Sequence, residues 1–179
     1  MAVTTAREQE EYTALRATIR SRGTARIYIF VAGMAAWAAI AIATAALASP
    51  PVATLVPLLV LASVFEAVFA LQIGVERVGR YIQVFHEADG EAAKWEHTAM
   101  AFGRPPGAAT IDALFVVPFL LAGLFNIMPA LIAQPTPSEL VFVGGAHALF
   151  LLRLFVARHA AATQRTIDLE RFRQMHRGA

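Results

Sequence analysis

The sequence predicts an all-α integral membrane protein with four transmembrane helices, an amphipathic cytoplasmic N-terminal helix, and helical cytoplasmic extensions of the second and fourth spans. Three observations predict it. Of 179 residues, 58% are hydrophobic and only 16% charged, with a mean hydropathy of +0.57, whereas soluble domains run nearer half apolar and a quarter charged. Apolar stretches of bilayer length recur four times along the chain. No stretch shows the strict apolar-polar alternation of a half-buried strand.

Residues 1–26 are expected to form the cytoplasmic amphipathic helix. Thr5 and Glu8 have capping-box spacing, Glu8, Glu10 and Glu11 come early, and Arg16, Arg20 and Arg22 come late, as the helix dipole favours. Tyr12, Leu15 and Ile19 make a narrow apolar stripe suited either to lipid headgroups or to another cytoplasmic helix.

The transmembrane domain is expected over 27–162, with spans at about 27–48, 52–75, 111–133 and 138–157. The first has 22 residues and no ionisable group, enough for a hydrocarbon core of about 30 Å. Ala46-Leu47-Ala48 imitates a signal-peptide cleavage site, but the long apolar run and a leader carrying three glutamates argue for a retained span. The second span follows Pro50-Pro51, contains Glu66, and continues without a breaker into Glu76-Arg77-Val78-Gly79-Arg80. Pro118 and Pro129 lie inside the third, where local kinks are expected. A cytoplasmic loop of about 76–110 separates these two spans and holds a short helix with Trp95, Ala99 and Phe102 on one face. The fourth span passes Gly144-Gly145, a packing seam for a neighbouring helix, and contains His147 and Arg153. Its helix is expected to reach about Met175, giving a cytoplasmic helical tail over 163–179. There Ala162, Leu169, Phe172 and Met175 form the apolar side, and Asp168/Arg171 and Glu170/Arg173 form i,i+3 pairs.

Orientation follows from the basic residues. Of the 15 Lys and Arg, five precede the first span, four lie between Arg77 and Arg104, and six lie from Arg153 onward. The other two loops carry none, so the positive-inside rule puts both termini in the cytoplasm of a bacterial-type inner membrane. The net charge of +2 is a near balance and gives no reason to expect a nucleic-acid partner. The absence of cysteine excludes disulfides, thiolate metal sites and iron-sulfur clusters.

Ionisable groups inside a bilayer are where chemistry is sought first, because an unpartnered central charge costs about 2.5–3.5 kcal/mol on insertion scales. Glu66 lies 14 residues past Val52 and Arg153 lies 15 past Ser138, depths of about 21 and 22 Å from the outer side. They are expected to pair, either as a structural clasp or as part of an ion or proton path. Asn126 and His147 both fall in the outer half, a possible polar contact. With no second mid-membrane His, a b-type haem is not expected. Gln72, Glu76, Arg77 and Arg80 form a solvated helix extension or, alternatively, line a path or bind anions and lipid headgroups. His86, Asp89 and Glu91 are weak metal candidates. There is no Walker sequence, no His-Glu-x-x-His and no Gly-x-Ser-x-Gly, so neither an enzyme nor a resident cofactor is expected.

The function expected from these features is passage of a small ion or solute through a homo-oligomer embedded in the lipid bilayer. The rival is a structural or accessory subunit packed on a larger membrane complex or on copies of itself. A membrane enzyme acting on lipid stands third.

Overall fold

In a computed structural model the described residues are 6–47, 50–87, 95–102 and 111–178. Asp89 and Glu91 lie outside them. The fold is all-α among these residues: α1 (Ala6–Ala46), a 3₁₀ turn (Pro51–Thr54), α2 (Leu55–Phe85), α3 (Trp95–Phe102), α4 (Ile111–Asn126), α5 (Met128–Ile132) and α6 (Pro137–Gly178). Among the described residues three helical stretches are long and apolar enough to cross a membrane: Ala6–Ala46, Pro51–Phe85 and Pro137–Gly178.

The expected third span is not one helix. It breaks at Ile127, leaving α4 and the short α5. Pro129 is the cause, because its ring has no N–H and collides with the carbonyl four residues back. Pro118, inside α4, does not interrupt it. The N-terminal amphipathic segment and the first apolar span, in contrast, run as a single helix through Gly23.

The start of α6 is built by a reciprocal cap. The backbone N–H of Thr136 donates to Glu139 Oε2 at 2.9 Å, and the Glu139 N–H returns a bond to Thr136 Oγ1 at 3.4 Å. Pro137 occupies the first helical position, where its missing N–H costs nothing.

The chain divides into two compact units. The apolar unit comprises Ile27–Phe69 and Ala109–His159. Its core is Leu58, Leu61, Phe65 and Val68 from α2, Phe119 and Ala122 from α4, and Phe150, Leu154 and Ala157 from α6. Steps of three and four along α2 and α6 put these side chains on one face of each helix. The Phe65 and Phe119 rings meet edge to face at 5.3 Å, as do Phe30 and Phe119 at 5.7 Å. No residue of α1 is buried; it borders this core through the half-buried Phe30, Met34 and Trp37. Gly33 sits within that stripe, and a Cβ there would overlap the Val64 side chain.

The polar unit comprises Met1–Arg26, Ala70–Ala108 and Ala160–Ala179. Here the inward face of α6 differs from the expected one. Ala161 and Asp168 are buried, whereas Ala162 is exposed and Met175 is 53% exposed. The expected i,i+3 pairs are replaced too: Asp168 binds Arg77 and Gln164, and Glu170 binds Arg177 and Gln174. A polar residue drawn inward by a charged partner rotates the face away from its apolar stripe.

Candidate functional site

Among the described residues of the apolar unit, four elements meet at a buried polar knot. Asn126, the last residue of α4, stands where the Pro129 break frees the chain to turn. Its Nδ2 donates to the Thr54 carbonyl at 2.8 Å and lies 3.0 Å from His147 Nε2, and its Oδ1 accepts from Trp37 Nε1 at 3.1 Å. His147 Nδ1 lies 2.8 Å from the Val143 carbonyl. Because that carbonyl can only accept, Nδ1 carries the proton and Nε2 accepts from Asn126. The knot thus joins α1, α4, α6 and the 3₁₀ turn. Asn126 and His147 are 3% exposed, and each amide and imidazole group that meets here is satisfied. Trp37 and Thr54 were not among the expected site residues. A lone indole and a backbone carbonyl in a turn carry no pattern that points to them.

Glu66 and Arg153 also meet. Arg153 Nε donates to Glu66 Oε1 at 2.7 Å and Nη2 to Oε2 at 2.9 Å, a two-point fork. The pair lies on the outside of the unit, with the Arg153 and Glu66 side chains 41% and 49% exposed. Above it an apolar groove of about 490 Å³ runs between α2 and α6, lined by Leu55, Leu59, Ala62, Ala146 and Leu149. Gly144 and Gly145 face open space rather than a neighbouring helix of the same chain.

In the polar unit Gln72, Glu76, Arg77 and Arg80 enter a packed ladder between α2 and α6. Arg165 Nε donates to Glu76 Oε2 at 2.7 Å, Gln72 Nε2 to Glu76 Oε1 at 2.6 Å, and Arg77 Nε to Asp168 Oδ2 at 3.1 Å. Arg80 is 7% exposed. Burial pushes its guanidinium below its ordinary pKa, opposed by Glu76 and reinforced by Arg165. Both carboxylates in the ladder are therefore occupied by arginines of the facing helix. Arg165 and Asp168 were missed, yet a signal exists: acid, acid, base along α2 (Glu66, Glu76, Arg77) faces base, base, acid along α6 (Arg153, Arg165, Asp168).

A second anchor is Glu87, 2% exposed. It accepts the backbone N–H groups of Glu96 and His97 at 3.0 and 3.1 Å, contacts His97 Nδ1 at 3.2 Å, and pairs with Arg16 at 3.5 Å. Arg16 also donates to Glu96 at 2.7 Å, so α1, α2 and α3 converge on this carboxylate. His86 lies against the Tyr12 and Tyr81 rings, and its Nε2 is buried without a hydrogen-bond partner. Among the described residues no three His, Asp or Glu side chains gather as a metal site.

No protein-family model, curated protein or solved structure matches this chain.

Proposed function

We propose that this chain is a structural subunit of a membrane assembly made of copies of itself, joined through the α2/α6 face that carries Glu66 and Arg153. In this reading the chain crosses a bacterial-type inner membrane four times, α4 and α5 together making the third crossing, with both termini in the cytoplasm, the side that the distribution of basic residues favours. One observation carries the proposal: a forked ion pair lies half exposed on the outside of the apolar unit. Charged side chains within membrane spans face protein or water, because hydrocarbon solvates them poorly.

A second copy is the occupant that the surface chemistry fits. The pair is neutral as a whole and carries both signs, so it is self-complementary across a two-fold axis: each carboxylate has lone pairs left for the partner's guanidinium. Leu59 and Leu149 beside it are 68% and 67% exposed, and Ala146, which lines the same groove, keeps its wall small.

Passage of a small ion or solute is the second reading. The same half-exposed charges would serve it by lining a wet axis between copies. Passage through one chain has no such support, because Phe119, Leu61 and Leu154 fill the interior of the apolar unit at 0% exposure.

The test uses the cysteine-free background. A single Leu149→Cys should form a disulfide-linked dimer in native membranes under mild oxidation, and Glu66→Leu with Arg153→Leu should abolish it. A monomeric mass in lipid nanodiscs, with no cross-link at Leu149, would overturn the assembly. Proton, alkali-cation or chloride flux in vesicles above empty controls would promote passage.

A further inference from the structure

Beside the Glu87 anchor, the polar unit holds a cleft of about 550 Å³ between the end of α2, the start of α3 and the last turns of α6. Its size is that of a small-molecule site. Val84, 6% exposed, and Leu169 give it an apolar floor. Gln83, also 6% exposed, spends its Oε1 on Arg80 at 3.5 Å, which leaves the amide N–H groups for the cleft.

The walls are basic. His97 contributes its ring, held by Glu87 at Nδ1, so that Nε2 is the nitrogen left over. From α6 come Arg173, His176 and Arg177 at i, i+3 and i+4, which places them side by side. His176 is oriented edge-on against Phe85 at 5.3 Å. Arg177 is tethered, donating to Glu170 at 3.1 Å. Arg173 is untethered: its guanidinium makes no hydrogen bond or ion pair with any described residue.

We propose that this cleft binds a phosphate-bearing anion, with Arg173 as the principal ligand. A free guanidinium presents a planar fork that matches two phosphate oxygens. The Gln83 amide and the His176 imidazole supply further donors around it, and the apolar floor accepts an organic substituent. Glu170 works against the anion twice, by its own charge and by occupying Arg177. The proposal is independent of how the apolar unit assembles.

The probe is inorganic pyrophosphate, titrated by calorimetry into the full chain in nanodiscs of neutral lipid. Saturable binding is expected. Arg173→Ala should weaken it by about tenfold or more, the usual size of one charge-assisted contact. Glu170→Gln should strengthen it several-fold by releasing Arg177, and Arg20→Ala, on an exposed arginine elsewhere in the unit, should leave it unchanged. All three are surface changes, and matching thermal melts will verify that each variant is folded. Repeating the titration with phosphatidylglycerol in the nanodisc separates the two sources of phosphate: competition assigns the cleft to a lipid headgroup, and unchanged affinity assigns it to a free ligand. No binding to the wild type at millimolar pyrophosphate, or equal weakening by Arg173→Ala and Arg20→Ala, would overturn the site.

Discussion

Arg153 grips Glu66 through two parallel hydrogen bonds of 2.7 and 2.9 Å, although both side chains remain more than two-fifths exposed. Each charge is neutralised by the other, so the face presents a pair rather than two ions. Arg153→Leu strands a carboxylate, whereas Glu66→Gln with Arg153→Leu strands nothing. The single variant should therefore be the less stable, by about 1–2 kcal/mol once the half exposure is discounted. Melts of both variants in one detergent measure this, and equal losses would show that the charges act independently.

Asn126 bonds Trp37, Thr54 and His147 at once. Asn126→Leu leaves an indole N–H, a carbonyl and an imidazole nitrogen unpaired in an apolar interior. At about 1–3 kcal/mol for each orphaned group, the loss should reach several kcal/mol. Trp37→Phe removes one donor and should cost clearly less. Denaturant titration of the two variants ranks them, and a reversed order would argue against Asn126 as the hub.

Gly33 and Gly144 make a matched pair of tests. A side chain at Gly33 overlaps Val64, so Gly33→Leu should destabilise the apolar unit by about 1–3 kcal/mol, with partial rescue by Val64→Ala. Nothing stands near a Cβ at Gly144. Gly144→Leu should therefore leave the melt intact, and since nine residues turn the helix half a revolution away from Arg153, it should leave the dimer fraction proposed for the Arg153 face unchanged as well; a loss in either would place a neighbour at Gly144.

Tyr81 donates its hydroxyl to Glu11 at 2.8 Å. Burial first, and this bond second, hold the phenol above its ordinary pKa. A raised folded-state value means that the contribution to stability is complete below the unfolded value of about 10, and is lost as pH rises through the folded one. Tyr81→Phe should lower the melting temperature near neutral pH, and the gap to the wild type should shrink above about pH 10. A gap that stays constant through that range would remove the titrating phenol as its cause.

Helix content and the long apolar stretches of α1, α2 and α6 were determined by the sequence alone, because apolar runs of bilayer length have one way to satisfy their backbone groups within a segment. The meeting of Glu66 and Arg153 was legible too, since helical rise puts them at matching heights along α2 and α6. What only the tertiary structure decided is which way each face turns. Pro118 and Pro129 look alike in the sequence, yet the helix runs through the first and breaks before the second. Met175 belongs to an apolar stripe and is exposed, while Asp168 is polar and buried, because Arg77 on another helix compensates its charge. Glu66 and Arg153 could have met inside the bundle, but they meet on its outside. Periodicity records a residue's own preference for water; burial of a polar group depends on a partner far along the chain, and only packing brings that partner within hydrogen-bond reach.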